Sequence, residues 1–204
     1  MSTQVLSVSL PSEIIYVSGT VNGTAYTWTL IEGAWTATVE RAADDTYAVA
    51  LTAVTAAGVS TNYTLTLYYG LLSLITDRTR ADVENETDKG FYNASDLNRV
   101  GAAVEYIAGR FTALGYACPV TVKKDWLTSD APTASQMEVY RQNIVTLRGQ
   151  VAVMQSTPNA PASMAGLNYV KANNIEQILL DLDALIDKLI KSWCFSGELY
   201  AGEV

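Results

Sequence analysis

The chain predicts an α+β fold in two domains, a β-sandwich of about six strands followed by a three-helix bundle. Two observations predict it. From Val5 to Tyr69 apolar residues recur at every second position, the period of strands buried on one face. From residue 95 onward they recur at intervals of three and four, the period of amphipathic helices. No helix-length crossover separates the strands, so they are expected to pair antiparallel. With 204 residues, 49% of them hydrophobic, the chain has enough apolar material for a core in each part.

Residues 5–10 and 13–20 supply the first strands. In 25–31 one face carries Tyr26, Trp28 and Leu30 while Thr27 and Thr29 point the other way; in 34–40 the matching face is Trp35, Ala37 and Val39. Glu32-Gly33 between them is a short turn in which Gly can take positive φ, so the two strands are expected to form a hairpin. A second hairpin follows: 47–55 alternates Tyr47, Val49, Leu51 and Ala53, Ala57-Gly58 turns, and 63–69 alternates Tyr63, Leu65, Leu67 and Tyr69. The stretch DDTYAVALTAVTAAGVSTNYTLTLYYG resembles the last two strands of a small immunoglobulin-like domain, with Tyr47 in the tyrosine-corner place. The resemblance implies an N-terminal immunoglobulin-like β-sandwich over residues 1–70 and says nothing of its partner, since such sandwiches carry many functions.

Residues 71–94 change to alternating charge and read as a linker able to dock on either neighbour. The helical module, 95–204, opens at Ser95 as N-cap with Asp96 in the first turn; Leu97, Val100, Val104, Ile107, Phe111 and Leu114 form its stripe and Gly115 its stop. Thr133 with Gln136 three residues on is a capping box for a second helix, striped by Met137, Tyr140, Ile144, Leu147, Val151 and Met154. A third helix over 170–193 carries Ile175, Leu179, Leu182, Ile186, Leu189 and Trp193, widened by Ile178, Leu185 and Ile190, and is expected to be the most buried of the three. Residues 120–126 are expected as a short strand, paired with 197–203.

Composition excludes several function classes. A formal net charge of −8, with only 13 Lys and Arg, argues against nucleic acid and against an anionic membrane surface. No apolar run approaches the ~20 residues that span a bilayer. The opening MSTQVLSVSLPSEIIYV has no basic start, apolar centre or cleavage site, so synthesis is expected to end in the cytoplasm. There is no histidine, which removes the commonest general base and transition-metal ligand together. Cys118 and Cys194 have no metal-type spacing; reduced thiols are expected, with a disulfide as the alternative.

The remaining motifs favour structure over chemistry. Four N-x-[ST] sequons, at Asn22, Asn62, Asn85 and Asn93, fit a Thr- and Asn-rich composition, and Asn93 has a local task in a turn. Asp82, Glu84, Glu86 and Asp88 resemble the start of a calcium loop, but Thr87 and Asn93 stand where Gly and a bidentate Glu are needed. Asp181, Asp183 and Asp187, with Lys191 a turn later, read as a charged outer helix face rather than an acid/base pair. No phosphate loop, nucleophile elbow or H-E-x-x-H occurs, so no enzyme, cofactor or metal is expected. Tyr16, Tyr26, Trp28, Trp35 and Tyr68 are the candidates for a binding surface of exposed aromatics, against the alternative that they fill the core.

In order, LITDRTRADV, KGFYNASDLNRVGAAVEYIA, DWLTSDAPTASQMEVYRQNIVTLR, MAGLNYVKANNIEQILLDLDALIDKLIKSW and FSGELYAGE, over roughly residues 71–203, resemble a family of structural proteins from tailed phages and prophages of Firmicutes. The resemblance implies a non-enzymatic virion protein of the tail, tail tip or fibre. Its helical module would dock on other virion proteins and its immunoglobulin-like domain would project. It also implies a homo-oligomer or ring of copies and assembly in the host cytoplasm. The family has no catalytic or binding residues to carry over. The alternatives are a module binding a host-surface glycan or receptor, and a capsid decoration protein.

Overall fold

In the computed structural model, which describes residues 3–42, 46–69 and 74–196, seven strands precede four helices. The strands are β1 (Thr3–Val8), β2 (Ile14–Val21), β3 (Thr24–Thr27), β4 (Thr29–Ile31), β5 (Ala34–Glu40), β6 (Thr46–Thr55) and β7 (Ser60–Tyr68). They form two antiparallel sheets, ordered β1-β5-β4 and β3-β2-β6-β7. The alternation read from sequence decides which face is inward. Leu6, Val8, Trp35, Ala37 and Val39 of the first sheet share one core with Val17, Val21, Val49, Leu51, Ala53, Leu65 and Leu67 of the second. Each larger aliphatic side chain buried this way contributes about 1.5–3 kcal/mol. Tyr47 is fully buried among them, and its hydroxyl accepts the Ala42 backbone N–H at 3.1 Å.

One hairpin differs from expectation. The stretch 24–31 is not a single strand facing β5: β3 pairs with β2, and only β4 pairs with β5. Two tight turns explain it. Asn22-Gly23 and Glu32-Gly33 both place two consecutive residues at positive φ, which closes a two-residue hairpin on each side. The short stretch between must therefore serve both sheets, and it crosses at Trp28, whose ring is buried. Leu30, expected inside, is consequently 53% exposed on the brief edge strand β4.

The helices are α1 (Arg80–Glu84), α2 (Ala94–Ala113), α3 (Ala134–Arg148) and α4 (Tyr169–Ser196). The cap of α2 is Asn93, not Ser95: its side chain accepts from the N–H groups of Ser95 and Asp96, while Asp96 reaches back to the Asn93 N–H. Thr133 and Gln136 form the expected capping box of α3, but that helix ends at Arg148, so Val151 packs from a loop and Met154 lies beyond the helix. Leu97, Val100, Val104, Ile107 and Phe111 of α2 meet Tyr140, Ile144 and Leu147 of α3 and Ile175, Leu179, Leu182 and Ile186 of α4 in a second core. The most buried helix is α2 rather than α4, because β7 covers the side that α3 and α4 leave open. On α4, Leu185 is half-buried and Ile190 is 38% exposed. The Trp193 and Cys194 side chains and the stretch 197–203 lie outside the described residues; Cys118 is a half-buried thiol whose ionisation burial pushes up.

Residues 120–126 form no strand. An asparagine on a helix stands in for the missing partner strand: Asn143 donates to the Thr121 carbonyl and accepts its N–H (2.6 and 3.0 Å), and Asn98 does the same for Trp126 (3.0 and 2.6 Å). Asn173 on α4 pairs likewise with Arg78 (2.9 and 3.1 Å), seating residues 74–79 on the helices. A side-chain amide presents an acceptor and a donor at the spacing of one residue's N–H and C=O, so each satisfies two backbone groups at once.

The two cores are joined at residues 125–127. Asp125 accepts the Ser9 N–H at 2.6 Å, Trp126 enters the helical core, and Leu127 enters the sheet core. Adjacent side chains of an extended segment point oppositely, so three residues can anchor in both. Asn98 adds a bond from α2 to the Thr66 carbonyl on β7 at 3.0 Å.

Candidate functional site

The five candidate aromatics do not share a surface. Trp28 and Trp35 are buried, and Tyr26 packs against the sheet core from its edge. Tyr68 is half-buried, its hydroxyl sharing a 2.7 Å hydrogen bond with Ser95. Tyr16 is exposed, as is Ile15 beside it, where the β2–β6 register shifts between Ile14 and Tyr16. Tyr16 pairs with Val54 and Tyr68 with Thr46, eight residues apart along β6, so these two outward tyrosines stand roughly 26 Å apart.

A concavity lies elsewhere, between the outer face of the second sheet and the helical half. It encloses about 680 Å³. Its floor is built from the residues that alternate with the buried ones: Thr20, Ala50 and Thr64 form one cross-strand row, and Ala48 and Thr66 the next. Small side chains here leave the space open. One wall is the start of α2 at Asn93 and Ser95; the other is the segment from Trp126 through Asp130 to Pro132. The same stitch that joins the cores therefore shapes the groove. A smaller cavity of about 230 Å³ lies on the far side of Trp126, between α2, α3 and residues 121–123.

Between residue 78, α2 and α4 sits a closed ring of four buried charges that sequence periodicity does not reveal. Arg78 contacts Asp96 and Glu176, both at 2.8 Å, and Arg99 contacts the same two carboxylates at 2.6 and 3.1 Å. Glu176, fully buried, also accepts the Ile75 N–H at 2.5 Å. Burial opposes the charge on Arg99, but Glu176 and Asp96 outweigh it and hold the guanidinium protonated more firmly than usual. Tyr92 lies under the Arg78 guanidinium, 5.3 Å from ring centre to Cζ, and its hydroxyl bonds that of Tyr140. Burial, reinforced for both by neighbouring negative charge, pushes the two phenols well above their ordinary range. The signal for this ring was a charged residue at a stripe-adjacent position of each helix, Arg99 and Glu176, which reads equally as a solvated face.

The acidic motifs resolve locally. Asp82 is the N3 residue of the capping box that Thr79 makes for α1. Asp183 and Asp187 both pair with Arg110 of α2, so this part of the expected outer face is an interhelical contact. Of the sequon residues, Asn22 accepts the Ala48 N–H, Asn62 accepts from the Thr52 hydroxyl, and Asn93 is a cap. Among the described residues no group of three or more acidic or cysteine side chains is placed to hold a metal ion, and no helix is long and apolar enough to cross a membrane. Compared with protein-family models, with curated proteins and with solved structures, the chain matches none.

Proposed function

We propose that the chain is a non-enzymatic structural component of a tailed-phage virion, belonging to the tail, its tip or a fibre. A three-helix bundle of α2, α3 and α4 docks on neighbouring virion proteins, and an immunoglobulin-like sandwich projects from it. The strand orders β3-β2-β6-β7 and β1-β5-β4, with the Tyr47 hydroxyl closing back on Ala42, support the immunoglobulin-like reading.

The observation that carries the structural role is the join between the halves. A flexible two-domain binder would connect them through an exposed linker with few contacts. Here residues 125–127 anchor in both cores, and the four-charge ring fixes residues 75–78 to α2 and α4. Such a body transmits force between a docking face and a projecting tip without bending. Copies arranged around a symmetry axis, assembled in the host cytoplasm, complete the proposal.

Mass spectrometry and cryo-electron microscopy of purified particles test it. The chain is expected in mature virions with density at the tail. Its absence from particles overturns the proposal, and density on the capsid shell replaces it with a decoration role. The reading as a host-glycan module resting on the five aromatics is disfavoured by the burial of Trp28 and Trp35.

A further inference from the structure

The groove over the second sheet has the composition of a ligand site rather than of a packing gap. Pockets for small ligands enclose about 300–1,000 Å³ and place a few convergent polar groups on an otherwise apolar lining, often between domains. At about 680 Å³ this one falls within that range. Thr20, Thr64 and Thr66 line its floor, interrupted by the methyl groups of Ala48 and Ala50. None of these three hydroxyls hydrogen-bonds to a described residue. Trp126, 4% exposed, forms part of the wall, and its indole N–H is buried without an acceptor.

Charge selects the ligand class. Asp130 stands on the rim, no Lys or Arg lines the groove, and the whole chain carries a net charge of −8. An anion would enter against this field, and Lys123, 3.6 Å from Asp130, is already paired with Asp125 at 2.8 Å. The start of α2 is already satisfied by Asn93 and Asp96, so it does not supply the missing attraction. We infer that the groove binds a neutral oligosaccharide. Sugar hydroxyls exchange hydrogen bonds with the threonine row and with Asp130, and one ring face rests on Ala48 and Ala50. The site lies four residues along the strands from Tyr16, roughly 13 Å, and does not involve it. It is independent of where in a particle the chain sits.

The test uses the full chain against an array of neutral oligosaccharides, including hexose and N-acetylhexosamine trisaccharides, beside their sialylated and phosphorylated counterparts. Binding to at least one neutral glycan is expected, with a shift of the Trp126 indole resonance in a nitrogen-15 correlation spectrum, identified by its loss in Trp126→Phe. Ala50→Phe, which fills the exposed floor, and Thr64→Ala are each expected to weaken that binding at least tenfold with unchanged thermal midpoint. Tyr16→Ala is expected to leave it unchanged. Three results overturn the inference: no neutral glycan binding at millimolar concentration, binding confined to acidic glycans, or binding lost with Tyr16→Ala but retained in Ala50→Phe. Virion cryo-electron microscopy is unaffected by any of these outcomes, so the two proposals fail separately.

Discussion

Asn98 shows how much one buried amide can organise. Fully enclosed, it bonds the Trp126 N–H and carbonyl and the Thr66 carbonyl, so it ties helix, loop and sheet at a single side chain. Asn98→Ala strands three backbone groups in a dry site, and a loss of about 3 kcal/mol is expected, read as a lowered urea midpoint at unchanged slope. Glu176 carries a sharper dependence. Removing it leaves Arg78 and Arg99 facing one carboxylate, so Glu176→Ala is expected to cost on the order of 3–5 kcal/mol by the same measurement. Glycine at position 101, inside α2, has a related explanation. A Cβ there would sit 2.8 Å from the Lys123 carbonyl oxygen, so the helix gives up about 1 kcal/mol of propensity to let residues 121–126 lie close. These roles were not legible from periodicity, because an Asn or Glu beside an apolar stripe looks the same whether it faces water or a buried backbone.

Elements were more readable than their edges. Most stripe positions of α2, α3 and α4 and the alternating positions of β5, β6 and β7 stand buried as their periods require, since burying apolar area is what the period encodes. Boundaries followed local hydrogen bonds instead. Asn93 competes with Ser95 for the start of α2 and wins because Asp96 then falls at N3, completing the reciprocal box. Asn93→Ala is therefore expected to destabilise by about 1 kcal/mol and Ser95→Ala, which loses only the Tyr68 contact, by less; thermal melts of both variants check this. In the sheets the Asn-Gly at 22–23 is a hairpin signal as strong as Glu-Gly at 32–33, although the same Asn22 also opens a sequon. Two turns so close force the intervening stretch to change sheets, which periodicity alone describes as one strand.

For the whole molecule, pH probes the join between the cores. Burial raises the Asp125 carboxyl, but its bonds to Lys123 and to the Ser9 N–H outweigh that and hold it below the usual carboxylate range. A depressed folded pKa contributes stability that is present above about 3.9, the unfolded value, and is lost as pH falls through the lower folded one. Acid unfolding below about pH 4 is thus expected to be blunted in Asp125→Asn, which starts less stable at pH 7; urea midpoints from pH 2 to 7 check this. At the other end, burial raises Tyr92 and Tyr140 and pushes Tyr69 up to about 12. Raised folded values give stability that is full below about pH 10 and declines above it, so these three phenols should ionise last in an ultraviolet titration. Fold class and the inward face of nearly every element could be read from the chain, because they depend on residue type and spacing along a single element. The partition of β3 from β4, the four-charge ring, the asparagine pairings and the groove depended on the folded chain. Each requires groups tens of residues apart to meet, and no local period records which distant backbone an amide, a carboxylate or a row of threonines will face.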